Sequence, residues 1–150
     1  MEDRDKFIET IAHFGGKFGL NPALSRIYAL LYWEGTPLSL DEIKNTLKIS
    51  KGNVSINIRK LEEWGAVEKV WRKGSNKHYY RAKEDFKTFL PRRVKETLQK
   101  RLDILLNHLR EIEDSLEDKE KLAKLKNLKQ TLGRAREALT WFEEGVKSIL

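Results

Sequence analysis

The sequence contains no cysteine, only three prolines and only three histidines. Without cysteine there is no disulfide framework, no thiolate metal site and no cysteine nucleophile. His13, His78 and His108 are scattered, and no pair of carboxylates sits in an apolar stretch, so neither a metal centre nor acid–base catalysis has much to build on. His108 and Glu111 lie three residues apart on a charged helical segment, which favours a solvated pair. Gly15-Gly16-Lys17 lacks the preceding strand, the full glycine spacing and the Ser or Thr of a phosphate loop. No enzymatic activity, metal or cofactor is expected. There is also no charged-then-apolar leader and no apolar run approaching the roughly 18 residues of a membrane span. A cytoplasmic protein without a membrane partner is the expectation.

What the sequence has is charge: 30 Lys and Arg against 23 Asp and Glu, for a net +7. The excess is local. Residues 48–83 hold ten basic residues against Glu62, Glu63 and Glu68, which equals the excess of the whole chain. A diffuse charge would speak only of solubility, whereas a concentrated one is the footprint of a polyanion binder.

The apolar residues recur at structural periods. Phe7, Ile11, Phe14 and Phe18 form a helical stripe over residues 3–18 and are expected to face inward. Asn21-Pro22 opens a second helix, which runs to Gly35 with Ile27, Leu30 and Leu31 inside. Ser39-Leu40-Asp41-Glu42 has the form of a capping box and starts a short third helix. Ser50 can cap a fourth, whose Val54, Ile58 and Leu61 face the core and which Gly65 ends. Beyond Gly65 the pattern changes: residues 66–71 and 78–81 are rich in β-formers, and the turn-forming segment Arg72-Lys73-Gly74-Ser75-Asn76-Lys77 lies between them.

From residue 84 onward the pattern is helical again. One stripe runs from Phe86 through Leu98, Leu102, Leu105 and Leu109, and another through Leu132, Leu139, Phe142 and Val146, with a turn near residues 117–120. Such narrow apolar seams require a partner surface, and a second copy of the chain is the simplest supplier. The reading is a mainly α fold with a small β component. Residues 1–83 form a winged helix-turn-helix domain with a β-hairpin wing, and residues 84–150 form long dimerisation helices.

Two short helices joined by a tight turn, the second far more basic, are suited to duplex DNA. With Val54, Ile58 and Leu61 inward, the opposite side of residues 50–64 presents Lys51, Gly52, Ser55, Ile56, Arg59 and Lys60, with Asn53 and Asn57 at its margins. Ser50 and Lys51 are placed for a phosphate at the helix start. Asn53 or Asn57 can read adenine, Arg59 guanine, and Ile56 a thymine methyl. Arg72, Lys73, Ser75, Asn76 and Lys77 of the hairpin can reach phosphates or a narrow minor groove.

The residues that carry a family resemblance are Arg26–Tyr32, Pro37–Ile43, Ile49–Ser55, Leu61–Gly65, Val70–Gly74 and Tyr79-Tyr80. Over residues 20–83 the sequence resembles MarR-type winged-helix regulators, and in particular their GbsR-like branch. The resemblance implies a homodimeric transcriptional regulator, commonly a repressor, in some members responsive to a small-molecule effector. It departs from many MarR-type sequences at Ile56, where a polar or basic residue is usual. A quaternary ammonium effector would need an aromatic cage, for which Tyr28, Tyr32, Trp33, Trp64, Trp71, Tyr79, Tyr80 and Trp141 supply the ring types, although rings at such spacings more often serve the core. The competing function class is a winged-helix module that binds another protein; the local basic charge favours DNA.

Overall fold

The computed structural model describes residues 2–149, apart from the side chain of Phe86. The chain divides into two compact units, Met1–Phe89 and Leu90–Leu150. The sequence alone places the boundary at residue 83. It lies later because the opening turn of the first long helix stays with the N-terminal unit, where the Phe89 ring meets Tyr28 edge-on at 5.6 Å.

The N-terminal unit runs α1 (Glu2–Lys17), α2 (Pro22–Glu34), β1 (Leu38–Ser39), α3 (Leu40–Leu47), α4 (Lys51–Glu63), β2 (Val67–Val70) and β3 (Tyr79–Ala82). Its three strands form an antiparallel sheet in the order β1-β3-β2, with Leu38 opposite Tyr80 and Val70 opposite Tyr79. The hairpin β2–β3 is the expected wing. Strand β1, two residues long, has no signature in the sequence and gives β3 a second partner. This is a winged helix-turn-helix.

The core is built on α2. Ile27, Leu30 and Leu31 are completely buried, together with Ile43 of α3 and Val54 of α4. Each such side chain contributes about 1.5–3 kcal/mol by leaving water. Asn21 caps α2 by accepting from the N–H groups of Ala23 and Leu24, and Pro22 occupies the first turn, where an N–H has no helical partner.

The inward face of α1 differs from the expected one. Ile8, Ala12 and Gly15 are buried, whereas Phe14 is 55% exposed and Phe7 and Ile11 are only half-buried. The cause is a close approach of α1 to α2. A Cβ at Gly15 would lie 2.5 Å from Ser25 Oγ, so a small residue must occupy the crossing and the phenylalanines are turned to its flanks. There Phe7 packs against Tyr32 and Trp33, and Phe14 against Phe18. Arg26 fastens the pair by donating twice to the Glu9 carboxylate, at 2.8 and 3.0 Å.

The C-terminal unit contains most of α5 (Phe86–Ser115) and all of α6 (Lys119–Ile149). Pro91 lies inside α5, where it forgoes one backbone bond. Among the described residues four ion pairs run between the helices: Arg92 and Lys95 with Glu143, Asp103 with Arg136, and Glu113 with Lys129. As the α5 number rises the α6 number falls, so the helices are antiparallel. Leu106 is buried. Its neighbour Leu105 is 41% exposed, as adjacent helical residues point about 100° apart. Leu98, Leu105 and Ile112 repeat every seven residues on one flank of α5; Leu128, Ala135, Phe142 and Ile149 do so on α6. Both flanks turn away from the seam in the sense that, in antiparallel helices, brings them to one side.

Candidate nucleic-acid interface

The recognition element is assembled by caps. At the start of α3, Ser39 Oγ accepts from the Glu42 N–H and the Glu42 carboxylate accepts from the Ser39 N–H, which completes the capping box. Lys48 then turns the chain in the left-handed region, at φ 56°, and the N–H of Ile49 donates to the Lys44 carbonyl. Holding a lysine there costs on the order of 1 kcal/mol, which the flanking caps must offset. Ser50 starts α4 by accepting from the N–H of Asn53 at 3.1 Å. Gly65, at φ 73°, ends the helix and passes the chain into β2.

Helix α4 buries Val54, Ile58 and Leu61, as their spacing predicts. Lys51, Gly52, Ile56, Arg59 and Lys60 are exposed, Ile56 by 56%, while Ser55 and Asn53 are half-buried. Lys51 pairs with Asp41 of α3 at 3.4 Å. Among the described residues, Arg59 and Lys60 have no ion-pair partner, so their charge stands toward solvent.

Asn57 does not belong to that open face. It is 2% exposed, so its expected place at the margin, within reach of adenine, is corrected: its side chain is turned inward. Its Nδ2 donates to the backbone carbonyl of Asn53 at 2.9 Å and to the Asn53 side-chain Oδ1 at 2.7 Å. The four-residue spacing that places Asn57 directly over Asn53 makes this bond possible.

The wing loop runs from Trp71 to His78 and turns at Gly74, whose φ of 81° a larger residue would resist. Lys73, Asn76 and Lys77 are exposed. Arg72 is committed to the base of the wing. Its guanidinium lies 4.2 Å from the Tyr79 ring centroid and donates to the Pro37 carbonyl at 3.1 Å. Ser75 Oγ accepts from the Lys77 N–H, which stiffens the turn. Arg81 pairs with Glu68 across the strands, so that charge is neutralised within the sheet.

Sequence reasoning overlooked Trp71 as part of the wing surface. It is 73% exposed and packs against His78, with 5.6 Å between ring centroids. Its signal is its place just past the end of β2, next to the cationic turn of the wing. The rings named for an effector cage are distributed: Tyr28 lies beside Tyr32, Tyr79 lies under Arg72, and Tyr80 is buried. Burial raises the pKa of the Tyr28 phenol, with smaller contributions from Tyr32 and Glu84, and its hydroxyl donates to the Lys83 carbonyl.

Comparison with known proteins bears on the same segment. Residues 20–70 match a helix-turn-helix domain family. The chain is 30% identical over 86 residues to the HTH-type transcriptional repressor GbsR of Bacillus subtilis (strain 168), an alignment covering 57% of this chain and 47% of that protein. It is 29% identical over 87 residues to the HTH-type transcriptional repressor OpcR of the same organism, covering 57% and 47%. The chain spans about half the length of the curated relatives it matches. A solved crystal structure of a transcriptional regulator superposes with a TM-score of 0.55 at 20% identity, covering 97% of this chain and 99% of the other. That likeness concerns the fold. Within the described residues, no helix is long and apolar enough to cross a membrane.

Proposed function

We propose that this GbsR-like winged helix-turn-helix chain is a homodimeric transcriptional repressor that reads a pseudo-palindromic operator in double-stranded DNA. It works in the cytoplasm under the control of a small-molecule effector. The observation that carries the reading is the open face of α4. Unpaired Arg59 and Lys60 lie beside an exposed Ile56, behind a capped helix start that can receive a phosphate. Cationic and apolar groups together fit the major groove, where phosphates, guanine acceptors and thymine methyls lie close to one another. Lys73, Asn76 and Lys77 of the wing extend the contact to neighbouring phosphates.

Self-association follows from the second unit. Leu105, Ile112 and Leu128 expose apolar surface on one side of the hairpin. Leu98, Leu102, Leu109, Leu132, Leu139, Phe142 and Val146 are half-buried and leave part of theirs uncovered. A two-fold pair would present two α4 helices about 34 Å apart, one turn of duplex.

The test is duplex affinity as a function of salt. A log–log slope near −0.9 for each phosphate contact is expected. Arg59→Ala should cost about 1–3 kcal/mol and relax preference at one base pair. Lys73→Ala should weaken all duplexes alike and reduce the slope by about 1. Binding that ignores salt, or is absent, would leave a protein partner as the function of this surface.

A further inference from the structure

We infer that Asn57 is a positioning residue for base selection: it turns the Asn53 amide so that α4 presents a hydrogen-bond donor to the major groove instead of a donor–acceptor pair. The inference rests on the DNA-binding reading and deepens it.

Chemistry alone orients both amides. The backbone carbonyl of Asn53 can only accept, so the Asn57 atom 2.9 Å from it must be the Nδ2 donor. The same Nδ2 lies 2.7 Å from the Asn53 side chain, so the atom facing it there must be the Oδ1 acceptor. The Asn53 Nδ2 is therefore directed away from Asn57. Asn53 is half-buried at the third position of α4, in the turn of a recognition helix that meets base edges. An asparagine that reads adenine uses both ends, accepting from N6 and donating to N7. One lone pair of Oδ1 is engaged inside the helix, which fixes the amide and leaves Nδ2 as the end with no bond to Asn57. Edges made of acceptors alone are then favoured, namely O6 and N7 of guanine or O4 of thymine, over adenine, where the N7 acceptor adjoins the N6 donor.

A second observation concerns Asn57 itself. Its Oδ1 is buried without a hydrogen-bond partner. An apolar residue like its neighbours Ile58 and Leu61 would occupy the place and leave no acceptor stranded. A side chain kept only for packing has no use for an amide satisfied at one end. A side chain kept to hold Asn53 needs that end and no other.

The full chain can be tested by selection from a library of duplexes, run in parallel for wild type, Asn53→Ala and Asn57→Leu. Asn53→Ala identifies the base pair concerned. Asn57→Leu should reduce preference for an acceptor edge at that pair by about threefold to tenfold, the range one hydrogen bond supplies, and let adenine rise. Other positions and the salt slope should stay as they are. At that pair the double variant should match Asn53→Ala, since the two act as one unit. Asn57→Ala replaces the leucine variant if circular dichroism shows that leucine does not fit. Unaltered preference at that pair in a folded Asn57 variant, or an even loss across all positions, overturns the inference. Failure of the wild-type chain to bind any duplex overturns the reading beneath it, and is visible before a variant is made.

Discussion

The two units of this chain keep themselves folded by different means. The N-terminal unit closes a core: Ile27, Leu30, Leu31, Ile43 and Val54 have no exposed surface. The C-terminal hairpin closes very little, and α6 contains no buried residue among those described. In place of a core it has a seam flanked by ion pairs at Glu113, Asp103 and Lys95, whose partners Lys129, Arg136 and Glu143 follow one another every seven residues. Buried area is what stabilises a single copy, whereas a seam open along one side is stabilised by whatever covers it. The comparison assigns the two units different work. One fixes the open face of α4 on a closed core; the other leaves apolar surface open along one flank.

The largest effect should come from the core. Ile58→Ala removes a side chain that is 2% exposed and should lower the stability of the N-terminal unit by about 2–5 kcal/mol, depending on how far the site can collapse. Leu128→Ala, at a site 48% exposed, should change the stability of a single copy by less than about 0.5 kcal/mol. Denaturant unfolding at a concentration low enough to suppress self-association separates the two. Equal losses would mean that the hairpin is as well packed as the N-terminal unit, and the contrast would fail.

What the sequence made legible follows the same division. Helices α2, α3 and α4 could be placed because each begins with a residue whose side chain does a local job: Asn21, Ser39 and Ser50 each accept from the helix they open. The wing was legible from Gly74 and the change of period around it. What escaped depends on distant partners. The inward face of α1 is set by Ser25 across the crossing from Gly15, and periodicity alone favoured the larger phenylalanines. Strand β1 exists because Leu38 and Ser39 meet β3, some forty residues away in the sequence. Arg72 and Asn57 both belong to polar types that suit a DNA surface, and the structure engages both within the protein. Composition can count such groups; it cannot say which are already occupied. In the C-terminal unit the seven-residue repeats were legible but ambiguous, because one repeat serves packing within a chain or between chains equally well.

That ambiguity can now be addressed at single residues. Leu102 and Leu139 are half-buried, and a charge at either would disturb the hairpin itself. Leu105 is the cleaner probe, since it lies beside buried Leu106 and is 41% exposed. If the exposed flank joins two copies, Leu105→Glu should weaken self-association by roughly tenfold to a hundredfold, through like charges meeting across the two-fold axis. Sedimentation should show the monomer, and far-UV circular dichroism should show helices still formed. A variant that sediments like wild type would show that this flank is not the joining surface.

The smallest effect concerns acid, and it separates the units without touching apolar surface. Glu143 has its pKa lowered to about 2, mainly by hydrogen bonds from Lys95 and Lys147. Asp103, beside Arg136, and Glu113, beside Lys129, are lowered as well, whereas among the described residues of the N-terminal unit Glu9, beside Arg26, is the one carboxylate with a lowered pKa. A carboxylate lowered in the folded state binds its proton less readily than in the unfolded chain, so stability must fall as pH falls. The contribution of Glu143 is therefore complete above its ordinary value near 4.5 and is lost progressively down to about 2. Thermal melts of wild type and Glu143→Gln should differ at pH 7 and converge as pH falls through that window. Salt should narrow the difference at pH 7, because these pairs lie at the surface. Since three of the four lowered carboxylates are in the hairpin, acid should loosen it before the N-terminal unit. The hairpin's share of the helical far-UV signal should then be lost at a higher pH than the near-UV signals of Trp33, Trp64 and Trp71, while α1 to α4 keep the remainder. The reverse order would mean that the ion pairs decorate the seam and that the apolar contacts alone hold it.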